Sequence, residues 1–275
     1  MNGEVVCVGY GLCVIDDDED DGGDWKWSDG FTRYLSTGNS FSALQFEFLI
    51  AKSTIGLIIQ ETCKAIWIHF KETEMPEPTV EMWLDIAEKF YMQTNFPNWI
   101  GAVDEEHVRC INPIKGGSNF INYRKYFSIV LMAVADANLN CIAIDMEAYG
   151  KEGDSTVFRD SPLGKKLYSD NLNIPPPCNL PNTVKDSQPF VVVGDEAFKI
   201  SNNILRPFPA RNLDPHKRVF NYRLSRCRRT VECTFGIFVN KWRIFHSSIL
   251  VQLNFIDIIV KACWILHFCS QKKWN

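Results

Sequence analysis

Val191-Val-Val-Gly-Asp-Glu-Ala-Phe198 reads as a short strand that ends on an acid, Asp195. Asn221-Tyr-Arg-Leu-Ser-Arg-Cys-Arg-Arg-Thr-Val-Glu-Cys-Thr-Phe-Gly236 reads as a strongly basic helix carrying one carboxylate, Glu232. Consecutive valines without polar alternation mark a strand covered on both faces. In the helix, Leu224, Cys227, Val231, Phe235, Phe238, Trp242 and Phe245 recur at steps of three and four, which makes one face apolar and leaves Glu232 one position beside it. Upstream, Trp99-Ile-Gly-Ala-Val-Asp104-Glu-Glu-His-Val108 puts a further acid inside an apolar strand, where a carboxylate is costly unless it is paired or bound to metal. Asp104, Asp195 and Glu232 stand 91 and 37 residues apart.

The segments between these acids alternate strand and helix. Residues 127–135 and 141–145 read as buried strands joined across Asp136-Ala-Asn138, and with residues 100–108 they make a three-strand meander. A helix over residues 156–168 then crosses to the strand at 189–194, and the basic helix follows. That order predicts an α/β fold, an RNase H-like mixed sheet flanked by helices.

Before the sheet, residues 41–50 and 54–67 have helical periodicity, with Ser40 and Ser53 as expected N-caps and a short turn between. The pattern fits a helix-turn-helix whose second helix reads DNA, and equally an ordinary helical hairpin. Val80, Trp83, Ile86, Ala87 and Phe90 predict a linking helix over 79–92. The expected organisation is an acidic, disordered leader at 1–30, a helix-turn-helix-like region at 31–92 and the RNase H-like domain at 93–275.

With 275 residues, 46% of them hydrophobic, the chain can bury a sizeable core. Its ten cysteines include no C-x-x-C pair, so neither a zinc site nor a disulfide framework is indicated, and reduced, mostly buried thiols are expected. The N-terminus lacks the basic start of a signal peptide. The apolar segment 249–268 is interrupted by Gln252, Asn254, Asp257 and Lys261, which argues against a membrane span and for a soluble intracellular protein. The net charge of −4 hides a strong asymmetry: residues 16–29 carry −7 and residues 199–243 carry +9. Arg206, Arg211, Lys217, Arg218, Arg223, Arg226, Arg228 and Arg229 form a basic stretch suited to nucleic-acid phosphates.

Three acids brought together by such a fold can hold two divalent cations that activate a nucleophile and stabilise the leaving oxygen in phosphoryl transfer. An all-oxygen ligand set suits Mg²⁺ or Mn²⁺. Spacing alone leaves alternatives open. Glu196 competes with Asp195, Glu232 has Arg228 one turn back as an ion-pair partner, and Asp136, Asp145, Glu147 and Asp154 are further candidates.

The chain resembles the PIF/Harbinger transposases and the nucleases derived from them, over roughly residues 31–267. The resemblance is carried by Arg33-Tyr-Leu-Ser-Thr-Gly38, Gly101-Ala-Val-Asp-Glu-Glu-His-Val108, Asn122-Tyr-Arg-Lys125 and Ala133-Val-Ala-Asp-Ala-Asn138. It continues through Val193-Gly-Asp-Glu-Ala-Phe198, Arg206-Pro-Phe-Pro209, Phe220-Asn-Tyr-Arg-Leu-Ser-Arg226 and Val231-Glu-Cys-Thr-Phe-Gly236. It implies a DDE endonuclease acting on DNA in the nucleus, with Asp104, Asp195 and Glu232 as catalytic metal ligands for Mg²⁺ or Mn²⁺. Arg206, Lys217, Arg218, Arg223, Arg226, Arg228 and Arg229 are the expected DNA contacts, and a Myb/SANT-like protein the expected partner. The alternative is a catalytically inactive descendant that serves as a DNA- or protein-binding factor.

Four departures bear on that implication. Glu105 replaces the family's Gly after the first acid, the loop ahead of Val157 reads Gly153-Asp154-Ser155 without the usual Ser-Asp or His-Asp pairing, Lys199 stands where Pro is frequent, and the tail diverges after His267. Glu105 adds negative charge beside the expected metal site, unless strand alternation turns it to the other face.

Overall fold

The computed structural model describes residues 6–8, 11–13, 29–113, 116–149, 154–184, 187–211 and 213–272. Most of the acidic leader and part of the loop ahead of Val157 lie outside the described residues. The chain forms two compact units, one made of residues 1–76, 109–115 and 238–275, the other of residues 77–108 and 116–237.

In the first unit, β1 (Val6–Val8) and β2 (Gly11–Cys13) pair antiparallel. Three helices follow, α1 (Asp29–Thr37), α2 (Phe41–Phe48) and α3 (Lys52–Glu74). Ser40 caps α2 as expected, accepting the Ala43 amide at 3.2 Å. Ser53 is not the N-cap: α3 starts at Lys52, two residues before the expected Thr54, after an Ala51 that has no side-chain acceptor. The chain bends 107° between α2 and α3, turning at Leu49 in the left-handed region.

Ile55, Ile59, Cys63 and Ile66 bury one stripe of α3, and α3 packs on the C-terminal helix of the same unit (Leu253–Lys272). That C-terminal helix is long and apolar enough to cross a membrane by length and composition. Its Ile256, Ile259, Val260, Cys263, Trp264 and Ile265 are instead wholly buried in protein, and the Asp257 and Lys261 that interrupt it pair with each other at 2.8 Å.

The second unit begins with α4 (Val80–Thr94), capped by the Thr79 hydroxyl, which accepts the Met82 amide at 3.3 Å. Next come β3 (Trp99–Arg109), β4 (Ser128–Ala135) and β5 (Cys141–Tyr149), then α5 (Asp154–Asp160) and α6 (Pro162–Tyr168). The single helix expected over 156–168 is broken. Pro162 disfavours helical backbone at Ser161, which turns extended and starts α6 by accepting the Gly164 amide at 2.9 Å. Two short pairing segments, β6 (Cys178–Asn179) and β7 (Ser187–Gln188), lead to β8 (Val191–Val193), β9 (Ile204–Leu205) and α7 (Pro215–Lys241).

The main sheet has the order β5-β4-β3-β8-β9, with β4 and β5 antiparallel and β3, β8 and β9 parallel to one another. This mixed five-stranded sheet flanked by helices is the RNase H-like arrangement. Every residue of β4 is buried, as its unbroken apolar run requires. Trp83, Phe90, Trp99, Val103, Phe158, Val192, Phe198, Leu224 and Cys227 share the core of this unit. Among the cysteines of the described residues, Cys63, Cys110, Cys141, Cys227 and Cys263 are buried free thiols, while Cys178 and Cys233 are exposed ones.

Candidate active site

The register of the two neighbouring parallel strands places the first two acids. Ala102 of β3 lies opposite Val193 of β8, so Asp104 and Asp195 each stand two residues beyond a paired position, Asp104 in the middle of β3 and Asp195 just past the carboxyl end of β8. Burial along β3 follows the same division. Trp99 to Val103 are in the core, whereas Asp104 to His107 are only partly covered. Asp195 is fixed by its own turn, its Oδ1 accepting the Ala197 amide at 2.8 Å. Gly194 is required there by a close approach: a Cβ would come within 2.5 Å of the buried Phe198 ring.

The helix supplies the third acid and a cation. In α7, Leu224, Cys227, Val231 and Phe235 are buried, so Arg228 and Glu232 sit one position beside the apolar stripe. The same Nη2 of Arg228 donates to Asp104 Oδ2 and to Glu232 Oε1, each at 3.0 Å. The Asp104 side chain is 16% exposed, that of Arg228 24% and that of Glu232 54%. Burial pushes the Asp104 carboxyl above the usual carboxylate range, outweighing the Arg228 cation that pulls it down, and the nearby Asp195 charge adds to the rise.

Glu106, absent from the expected site, joins the same electrostatic field. It lies two residues after Asp104 on the same face of β3. Its carboxyl is raised by burial and, to a smaller degree, by the Asp104 charge, while Arg124 opposes the rise. The period of two in a strand was the available signal.

Glu105 points the other way. Its carboxylate lies 3.6 Å from His107 Nε2, and His107 Nδ1 is 3.1 Å from the buried Ser128 hydroxyl. Its φ is not positive either, so a glycine is not demanded at this position. The expected charge beside Asp104 is therefore corrected by strand alternation.

The other acids divide cleanly. Asp136 closes the β4–β5 turn, accepting amides from Asn138 and Asn140, each at 2.8 Å. Glu196 is exposed. Asp145 accepts the Met146 amide at 3.0 Å in β5. The side chains of Glu147 and Asp154 lie outside the described residues.

The basic residues are in several different settings. Arg206 Nη1 donates to the carbonyls of Glu196 at 2.8 Å and Phe198 at 3.2 Å, bracing the loop that carries Asp195. Arg226 donates to the Gln93 carbonyl at the end of α4 at 2.7 Å, and Lys217 pairs with Asp214 at 3.3 Å. Arg218 and Arg229 are exposed, and Arg223 is half-buried. An apolar cleft lined by Phe96, Leu180, Pro189 and Phe220 opens near the amino ends of β3 and β8 and contains none of the three acids.

Among the described residues, no group of three or more His, Cys, Asp or Glu is arranged to hold a metal ion. The chemistry of the donors nevertheless fits one. Carboxylate oxygens suit Mg²⁺ or Mn²⁺, and Asp104 and Glu232 already share a cation, the Arg228 guanidinium.

A family model described as DDE superfamily endonuclease matches residues 103–267, more than half of the chain and a span that includes all three acids. No curated protein and no solved structure matches the chain. With a mixed sheet that sets Asp104 beside Asp195 and a helix that brings Glu232 to the same guanidinium, the chain belongs to the DDE superfamily endonucleases.

Proposed function

We propose that this protein is a transposase-derived nuclease of the PIF/Harbinger type that cleaves DNA phosphodiester bonds with the help of divalent metal. Endonucleases of this superfamily generally use divalent metals. The observation that carries the reading is the meeting of Asp104 and Glu232 at one cation, from sequence positions far apart, with the Asp195 charge close enough to raise the Asp104 carboxyl.

In this reading Asp104, Asp195 and Glu232 hold Mg²⁺ or Mn²⁺. The bound ions would activate the attacking water or hydroxyl and stabilise the leaving oxygen. The chain's own residues do the rest. Arg206 keeps the Asp195 loop in place through two backbone carbonyls. Exposed Arg218 and Arg229, with Lys217, Arg223 and Arg226, face phosphates as a basic surface along α7. The weakly solvated floor beneath Asp104 strengthens every charge interaction made there. DNA is the substrate and the nucleus the site of action, with a Myb/SANT-like protein as the partner that supplies target recognition.

The test is nicking of supercoiled plasmid by the full chain in Mg²⁺, in Mn²⁺ and in chelator. Metal-dependent nicking that disappears in Asp104→Asn, Asp195→Asn and Glu232→Gln supports the reading. DNA binding without metal-dependent nicking would return the chain to a non-catalytic binding role.

A further inference from the structure

We infer that Arg228 is a built-in competitor of the metal, holding Asp104 and Glu232 until a DNA phosphate draws its guanidinium away. The inference rests on the nuclease reading above and extends it to the order in which metal and DNA bind.

Three observations lead there. One nitrogen, Arg228 Nη2, bonds both carboxylates at 3.0 Å, so a cation that bridges these acids has to replace it. The guanidinium is not fully satisfied where it sits: its Nε is buried with no hydrogen-bond partner among the described residues, which lowers the cost of leaving. Arg228 is also partly exposed on α7 and is followed by the exposed Arg229, so a phosphate arriving there lies within reach of a long, flexible side chain.

A planar guanidinium binds phosphate as well as carboxylate, and the two anions compete for it. Phosphate arriving at α7 would draw Arg228 off the acids and leave Asp104 and Glu232 with uncompensated charge. Their affinity for a divalent cation then rises. By linkage, metal in turn strengthens DNA binding by the same factor. Such a device keeps the acids paired and stable while no substrate is present and admits metal when DNA is in place.

The experiment is a calorimetric titration of Mn²⁺ into the full-length wild type, Arg228→Gln, Arg228→Lys and Asp104→Asn, each with and without a 20-base-pair duplex. Circular dichroism checks that each variant is folded. Arg228→Gln should bind Mn²⁺ about ten-fold tighter than wild type without DNA, and Arg228→Lys, which keeps charge but loses the fork, should fall between them. The duplex should tighten Mn²⁺ binding in wild type and leave Arg228→Gln nearly unchanged. A purely structural arginine would give the opposite, weaker Mn²⁺ binding on substitution.

Equal or weaker binding by folded Arg228→Gln, with Asp104→Asn abolishing the Mn²⁺ signal, overturns this inference and leaves the nuclease reading standing. Failure of every protein to bind Mn²⁺, with or without duplex, overturns both.

Discussion

Arg228 Nη2 lies 3.0 Å from Asp104 Oδ2 across 124 residues of chain, joining a helix of the basic segment to the middle of a central strand. Both side chains are mostly covered, so the pair is more than a surface contact. Asp104→Ala should therefore destabilise the protein by roughly 1–3 kcal/mol, because a half-buried guanidinium is left with the more exposed Glu232 alone. Urea unfolding of the two proteins checks this. A change under about 0.5 kcal/mol would mean that the pair is solvated and of little weight.

Asp195→Asn should behave differently. Asp195 raises the Asp104 carboxyl through like-charge repulsion, so removing its charge relieves strain rather than creating it. The asparagine keeps an oxygen for the Ala197 amide. Unfolding free energy within about 0.5 kcal/mol of wild type, together with loss of nicking by at least about a hundred-fold, is the expected pair of results.

Glu105→Gly separates ancestry from geometry. Since Glu105 faces His107 and not Asp104, introducing the glycine that the PIF/Harbinger resemblance leads one to expect should change nicking less than about two-fold. The cost falls on stability instead, about 1 kcal/mol for a glycine inside a strand. A large gain in nicking rate would place the Glu105 charge at the metal site after all.

Arg206 and Arg229 should separate in kinetics. Arg206→Ala releases two carbonyls of the loop that carries Asp195, so kcat should drop more than KM rises. Exposed Arg229→Ala should weaken DNA binding and reduce its salt slope by about 1, with kcat unchanged. Identical kinetic changes in the two variants would assign both arginines to phosphate contact.

His267 predicts an acid-sensitive first unit. The ring is 2% exposed and packs edge-on against Phe238 and Trp264, and burial, assisted by the Lys241 charge, lowers its pKa to about 4. The neutral imidazole is the folded form. Its contribution is complete above the unfolded pKa near 6.5 and is lost as pH falls from there toward 4, by up to roughly 3 kcal/mol. Denaturant midpoints at pH 7.5 and pH 4.5 for wild type and His267→Phe measure it. An equal pH dependence in the two proteins would sink the assignment.

The sheet was legible because its signals are local. The apolar run at 128–135, the Asp136 turn and the triple valine each specify an element without reference to anything distant. The break before α6 was equally local, written in Ser161-Pro162, but a continuous helical period masks such a signal. What the sequence did not disclose depends on pairing across long separations. Nothing in α3 or in residues 253–272 states that those two helices pack together. Asp104 was legible as an acid in an apolar strand, whereas the guanidinium that holds it becomes visible only once β3 and α7 are placed in space. Glu106 is the intermediate case: strand period puts it beside Asp104, and only burial reveals that its charge is felt there.

Asp104, Asp195 and Glu232 are proposed to hold divalent metal together. Anomalous scattering at the manganese edge, from crystals of the full chain grown with Mn²⁺ and a short DNA duplex, tests this most directly. Anomalous density is expected among the three carboxylates, with the Arg228 guanidinium withdrawn from Asp104. Manganese bound elsewhere, with Arg228 still joining Asp104 to Glu232 in the presence of DNA, would contradict it.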